Sequence, residues 1–87
     1  MTNINIYCLF NEKGELYGVY SSIKAVHRDA LKICNKGVSG VFVNSAEGLR
    51  KASISFLRNV LKGEMDKKVT YVSDYGQVVI LKTGLKE

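Results

Sequence analysis

The stretch around which the chain is organised reads SIKAVHRDALKICNKG and covers residues 22–37. Its apolar residues recur at spacings of three and four, which is typical of a helix with one face packed on a core. Ser22 is a suitable N-cap residue, because its hydroxyl accepts a hydrogen bond from a free amide of the first turn. Gly37 suits the left-handed conformation that often follows a helix. The stretch therefore predicts an amphipathic helix over residues 22–36.

Every fourth residue of this predicted helix is basic and lies opposite its apolar side. Like charges four residues apart repel each other by about 0.2–0.5 kcal/mol per pair, and Asp29 is the one acidic residue among them. Such a stripe either binds a polyanion or is an ordinary solvated helix surface, and the sequence leaves both interpretations open. The stripe consists of Lys24, Arg28, Lys32 and Lys36.

Positive charge is concentrated in the middle of the 87-residue chain, whose net charge is +5. Residues 22–62 contain eight Lys or Arg residues and two acidic residues, whereas the remainder contains five and six. A basic region of this kind attracts nucleic acid or an acidic protein surface. Beyond the first predicted helix, its basic residues are Arg50, Lys51, Arg58 and Lys62.

Length and composition indicate one globular domain, residues 1–87. No apolar run is long enough to span a membrane and no secretory signal precedes the first predicted strand, so we expect a cytoplasmic protein. Cys8 and Cys34 are too few for a disulfide framework or a metal site, and we expect both to be buried. We expect neither a cofactor nor a bound metal ion.

The apolar runs and turn signals predict a fold of class α+β: a two-layer α/β sandwich in the order ββαβαββ. Its mixed five-stranded sheet carries both helices on one face, because the crossovers between strands are right-handed. The basic sides of the helices then point outward together, and the helix-free face is either wetted or covered by a second copy. The predicted strands are residues 5–10, 16–20, 38–44, 67–73 and 77–82, and the predicted helices are residues 22–36 and 46–62.

Two local signals support these boundaries. The turn between the first two strands, residues 11–14, ends on Gly14, which is free to adopt a positive φ. Asn44 and Ser45 are candidate caps for the second helix. That helix has two apolar ridges, one for the core and one for a contact with the first helix or another subunit. The core ridge is Leu49, Ala52, Phe56 and Val60, and the candidate oligomer contact is Ile54, Leu57 and Leu61.

Tyrosines near the basic helices are candidates for stacking on nucleic-acid bases. Aromatic side chains beside Lys or Arg hold single strands in many nucleic-acid-binding proteins. The alternative interpretation is that these rings cap the edges of a small core and keep their hydroxyls in water. The candidates are Tyr17, Tyr20, Tyr71 and Tyr75.

The residues that carry catalysis in enzymes are scarce. His27 is the single histidine, and it has no nucleophile at a recognisable spacing, so we expect it to be structural. Neither paired carboxylates nor a phosphate-binding glycine loop is present. The opening hairpin and helix are similar to the start of a GIY-YIG nuclease domain, but Asn5 replaces the first glycine and Gly18-Val19 reverses the Ile-Gly order. We therefore predict a protein that is not an enzyme.

The segments GVYSS, residues 18–22, and HRDALK, residues 27–32, resemble small accessory proteins of T-even-type bacteriophages. Within that group, the nearest resemblance is to phage inhibitors of the ToxIN toxin–antitoxin system. The resemblance covers the first 37 residues. It implies RNA binding together with capture of a host toxin endoribonuclease, in the cytoplasm of the infected cell.

These observations favour a non-enzymatic RNA-binding protein that acts in phage counter-defence as a toxin inhibitor. Its eight basic residues of the middle region would neutralise phosphates, and it would form a homo-oligomer. The alternative is a protein-interaction module, or a homo-oligomer, that binds an acidic protein partner without nucleic acid.

Overall fold

Six strands and two helices form within residues 4–34, 40–45, 48–62, 66–74 and 76–85, which the computed structural model describes. Their order along the chain is ββαββαββ. The elements are β1 (Ile4–Phe10), β2 (Leu16–Tyr20), α1 (Ile23–Cys34), β3 (Phe42–Ser45), β4 (Gly48–Lys51), α2 (Ile54–Leu61), β5 (Lys67–Ser73) and β6 (Gly76–Leu85).

The strands make one sheet in the order β2-β1-β6-β5-β3-β4, and every pair of neighbours is antiparallel. The predicted mixed five-stranded sheet is therefore wrong. Each helix does connect two strands that run in the same direction, as a crossover should. Other strands lie between them, however: β3 separates β4 from β5, and three strands separate β2 from β3. No parallel neighbours result among the described strands.

The largest error of prediction is the helix expected over residues 46–62. Its residues 48–51 are instead strand β4, which pairs with β3, and Gly48 has a φ of 106°. A glycine inside a helix costs about 1 kcal/mol relative to alanine, whereas positive φ suits it in a turn. The cap of α2 is Ser53, whose hydroxyl accepts a hydrogen bond from the Phe56 amide at 3.1 Å. Asn44 and Ser45, the predicted caps, belong to β3.

Other local signals are confirmed. The Ser22 hydroxyl accepts a hydrogen bond from the Ala25 amide at 3.1 Å, one residue before α1 begins. In the β1–β2 turn, the Asn11 side-chain oxygen accepts hydrogen bonds from the Lys13 and Glu15 amides, and Gly14 has a φ of 81°. Strands β2 and β5 have the predicted bounds, and β6 continues to Leu85. The predicted end of α1 near Gly37 lies outside the described residues.

Both helices pack on the same face of the sheet. His27 of α1 contacts the hydroxyl of Tyr71 on β5, and Lys82 of β6 donates to the carbonyl of Leu61 in α2. Tyr71 pairs with Val78 of β6, and directly opposite residues share a face. Lys82 is four residues after Val78 and therefore points to the same face, because side chains alternate along a strand. The core between the layers contains Tyr7, Leu9, Val26, Ala30, Cys34, Val41, Val43, Leu57, Leu61, Val69, Tyr71, Val78 and Ile80.

The two predicted apolar ridges of the second helix are not separated as expected, although Ala52, Phe56 and Val60 of the predicted core ridge do pack, partly buried, against the core. Leu57 and Leu61, expected at an oligomer contact, are 0% and 1% exposed and belong to the core. Leu49, expected in the core, is 62% exposed, because it lies on β4 rather than on a helix. Of the proposed contact residues only Ile54 stays partly exposed. The prediction that both cysteines are buried is right for Cys34 only, because Cys8 is half-buried on the helix-free face.

A buried cation closes the end of α2. Lys82 projects into the core and is 7% exposed, and its Nζ donates a hydrogen bond to the Leu61 carbonyl oxygen at 2.8 Å. The last carbonyls of a helix have no partner within the helix and carry partial negative charge. Lys82 therefore satisfies one of these carbonyls and anchors α2 to the central strand.

Replacing Leu57 by alanine tests this packing. We expect Leu57→Ala to lower the free energy of unfolding by about 2–5 kcal/mol, because it removes a fully buried side chain. The matched control is Leu49→Ala, which should change the free energy by less than about 0.5 kcal/mol at an exposed position. Urea unfolding followed by circular dichroism measures both. Equal, small effects would contradict the placement of Leu57 in the core.

Candidate nucleic-acid interface

The outward side of α1 carries a row of cations. Lys24, Arg28 and Lys32 are all exposed, while Val26 and Ala30 on the opposite side of the helix are fully buried. Successive cations are about 6 Å apart along the helix axis, because each is four residues from the next. The row predicted from the sequence is therefore presented to solvent, except that Lys36 lies outside the described residues.

Helix α2 adds two more cations to the same layer. Arg58 and Lys62 are exposed, and α2 contacts α1 directly above the sheet. We call this set the helical basic surface. It consists of Lys24, Arg28, Lys32, Arg58 and Lys62.

The two cations of β4 point to opposite sides of the sheet. Arg50 pairs with the buried Val43, so its side chain projects on the helical side. Lys51 pairs with Phe42 and projects on the helix-free side. Directly opposite residues of an antiparallel pair share a face. The sequence placed both residues on one basic face, and that placement is wrong for Lys51.

Asp29 is held by two neighbours. The Tyr20 hydroxyl donates a hydrogen bond to its Oδ2 at 2.7 Å, and Arg28 Nε donates to its Oδ1 at 3.3 Å. The Tyr20 hydrogen bond, followed by the Arg28 guanidinium, lowers the pKa of Asp29. Both oxygens of the one carboxylate of α1 are thus engaged. Of the three cations of α1, only Arg28 forms a hydrogen bond with Asp29, whereas Lys24 and Lys32 do not.

Tyr20 reaches Asp29 by passing over Gly18. A Cβ atom on Gly18 would lie 2.8 Å from the Tyr20 hydroxyl oxygen, so only glycine leaves room for the ring at that place. Burial, together with the hydrogen bond to Asp29, raises the pKa of Tyr20 to about 12. Tyr20 therefore positions an acidic side chain. Because its ring is packed and its hydroxyl already donates, it is a poor stacking platform.

Tyr71 is not available to a ligand at all. Its side chain is 0% exposed, and its hydroxyl lies 2.6 Å from Nδ1 of His27. The two rings meet edge to face with centroids 5.7 Å apart. The prediction that Tyr71 stacks on bases is therefore wrong. Tyr17 is 48% exposed and is a candidate for stacking, whereas Tyr75 lies outside the described residues.

His27 belongs to the core and not to the basic surface. It is 7% exposed, and burial lowers its pKa below the ordinary value of 6.5. Burial likewise raises the pKa of its partner, Tyr71. The pair is therefore neutral near pH 7, with one shared hydrogen bond. No pattern of spacing in the sequence pointed to this contact, because 44 residues separate the two side chains.

Comparisons with protein-family models, with curated proteins and with solved structures find no match to this chain. Among the described residues, no three His, Cys, Asp or Glu side chains are grouped so that they could hold a metal ion. In the same part of the chain, neither helix is long and apolar enough to cross a membrane.

Removing the Tyr20 hydroxyl should change the titration of Asp29. We expect Tyr20→Phe to raise the pKa of Asp29 toward its ordinary value of 3.8, because the main hydrogen bond to the carboxylate is lost. Carboxyl-carbon NMR shifts measured across the titration give this value directly. Tyr17→Phe, which removes a hydroxyl from an exposed tyrosine, is the control and should leave Asp29 unchanged. An unaltered pKa in Tyr20→Phe would contradict the assigned hydrogen bond.

His27 should make the protein less stable in mild acid. Because its pKa is lower in the folded state, the unfolded chain takes up a proton first as the pH falls through 6.5. The free energy of unfolding therefore decreases below pH 6.5, by at most about 1.4 kcal/mol per pH unit for one proton. The glutamine of His27→Gln does not titrate, so the free energy of unfolding of this variant should decrease less. Urea unfolding measures both proteins between about pH 7.5 and about pH 5, on either side of the ordinary histidine pKa of roughly 6.5. Identical pH profiles would refute the burial of a neutral His27.

Proposed function

We propose that this protein is a non-enzymatic nucleic-acid-binding protein whose helical basic surface binds the phosphate backbone of RNA. One observation carries the proposal: Lys24, Arg28 and Lys32 are exposed in a row on α1, and α2, which contacts α1, adds the exposed Arg58 and, just after its last residue, Lys62. Lys and Arg that neutralise phosphates release counterions, which drives binding regardless of sequence. The surface therefore supports affinity for a polyanion without base-specific readout.

The surroundings of α1 favour a single strand over a duplex. Tyr17 is exposed and lines a surface depression together with Ile33 of α1. This places an available aromatic ring beside the half of α1 that carries Lys32 of the basic row. Unpaired bases stack on such rings, whereas bases inside a duplex do not reach them. Single-stranded RNA is accordingly the ligand that we propose.

The resemblance to phage inhibitors of toxin–antitoxin systems extends the proposal to a biological role. In that role the protein acts in the cytoplasm of an infected host cell and inhibits a toxin endoribonuclease. A protein that holds RNA electrostatically can join a toxin and its RNA in one complex, or can compete with the toxin for that RNA. The helical basic surface supports this role only through its affinity for RNA.

A salt titration with matched charge reversals tests the proposal. We expect binding of a single-stranded RNA oligonucleotide to weaken as salt rises, with log K falling by about 0.7 to 0.9 per decade for each phosphate contact. Reversing two cations of the row, in the double variant Lys24→Glu and Lys32→Glu, should reduce that slope by about 1.5. Both positions avoid the Arg28–Asp29 ion pair, so the fold of this region is preserved. Fluorescence anisotropy measures the binding.

The control carries the same change of charge elsewhere. Lys13→Glu combined with Lys51→Glu alters one exposed residue in the β1–β2 turn and one on the helix-free side. It should retain most of the slope, because neither residue belongs to the helical basic surface. Equal losses in the two double variants would show that only net charge matters and would refute the surface. A slope near zero in the unmodified protein would refute RNA binding itself.

An acidic protein partner is the other outcome of these experiments. The ratio of absorbance at about 260 nm, where bases absorb, to that at about 280 nm, where aromatic side chains absorb, shows whether the purified protein carries nucleic acid. Protein without nucleic acid would point to a protein partner. So would capture of a toxin that persists after nuclease treatment and in high salt, where phosphate contacts are weak. Either result would move the function from RNA binding to protein recognition.

A further inference from the structure

The sheet has a face that neither helix covers. Side chains alternate along a strand, so the residues between the buried ones of β1 and β6 project away from α1 and α2. The register joins them into one patch, with Cys8 opposite both Val19 and Leu81, and Phe10 opposite Val79. We call it the open sheet face, and its contiguous apolar residues are Ile6, Cys8, Phe10, Val19, Val79 and Leu81.

The chemistry of this face favours a protein partner. Its contiguous patch is mostly aliphatic, and a monomer seldom exposes a large continuous apolar patch without a function. Its two aromatic residues, Phe10 and Phe42, lie on strands separated by β6 and β5, about 14 Å apart at the spacing of strands in a sheet. They are therefore too distant to stack on successive bases of one RNA strand.

The face contains both parts of a self-complementary contact. Val19 stands out from it, with 55% of its surface exposed. Beside it, Phe10, Val79 and Leu81 line a shallow depression of about 300 Å³. In a two-fold symmetric pair, a residue that projects from one copy meets the depression of the other, and the same contact forms twice.

We propose that a second copy of this chain packs on the open sheet face, so that two sheets stack face to face in a homodimer. The molecule is large enough for such a contact: its two longer dimensions, 45 and 26 Å, bound a face on the order of 1,000 Å², and a standard interface buries about 800 Å² per partner. Two cations of this face lie among the described residues. Lys51 is on the edge strand. Lys68, opposite Leu81, lines the depression and is exposed, so its long side chain must extend to keep the ammonium group in water at the rim of the contact.

The dimer has a consequence for the helical basic surface. Face-to-face packing places the two helical layers on the outside, so two basic surfaces point in opposite directions. The homodimer does not depend on RNA binding, because the two surfaces lie on opposite sides of the sheet. It also moves the oligomer contact from α2, where Leu57 and Leu61 are buried, to the sheet.

Sedimentation equilibrium of the purified full chain without nucleic acid tests the proposal. We expect a dimer whose dissociation constant rises by at least about tenfold in Val79→Lys, because the variant buries a new charge in the contact. Ser55→Lys, which adds the same charge at an exposed position of α2, is the control and should remain dimeric. Circular dichroism confirms that each variant is folded. If Val79→Lys does not fold, Val19→Lys replaces it, since that position is already exposed.

The thiol of Cys8 provides an independent measurement. Alkylation of Cys8 by a maleimide should become slower as protein concentration rises, because dimerisation covers the open sheet face. Peptide mass spectrometry separates it from Cys34, which is buried in the core. A monomer at all concentrations would overturn the proposal. So would a dimer that survives in folded Val79→Lys with Cys8 still reactive, which would locate the contact at the unpaired edge of β2. Protection of Cys8 by RNA in a monomeric protein would overturn it as well.

Discussion

The hydrogen bond between His27 Nδ1 and the Tyr71 hydroxyl, 2.6 Å long, sets the position of α1 on the sheet. Both groups are almost entirely removed from water, and a buried polar group without a partner is costly. Each side chain therefore needs the other, and only one placement of α1 against β5 satisfies both. A second polar contact joins Asp29 of α1 to Tyr20 of β2, whereas the apolar contacts of α1 are non-directional. The polar contacts therefore supply the specificity of the packing.

The direction of the helical basic surface follows from that placement. Once His27, Val26 and Ala30 face the sheet, the geometry of the helix turns Lys24 and Lys32 to solvent. Lys82 fixes the position of α2 in a similar way, because its ammonium group on the central strand β6 donates a hydrogen bond to the Leu61 carbonyl at the end of that helix. Two buried polar contacts thus hold the two helices on one face, and the cations of the molecule gather there. The apolar residues of β1, β2 and β6 that point away from the helices are left on the other face.

Much of the fold was predictable where the signal is local. The cap at Ser22, the turn ending at Gly14 and the bounds of β2 and β5 agree with the structure, because each depends on neighbouring residues. The error over residues 46–62 arose because Asn44 and Ser45 were interpreted as helix caps, whereas the cap of α2 is Ser53. Pairing of β4 with β3 keeps residues 48–51 out of the helix, and that pairing depends on contacts across the sheet. The mistaken element order, ββαβαββ, followed from the missing strand.

The candidate site was predictable in part, for the same reason. The amino-acid sequence by itself determined the amphipathic helix, the spacing of its cations and the concentration of charge in the middle of the chain. These are properties of periodicity and composition. Only the tertiary structure decided that Tyr71 and Leu57 are buried, that Lys51 points away from Arg50, and that the helix-free face of the sheet carries a contiguous apolar patch. Such choices depend on which distant segments lie against each residue, and local spacing carries no information about a partner that is far away in the chain.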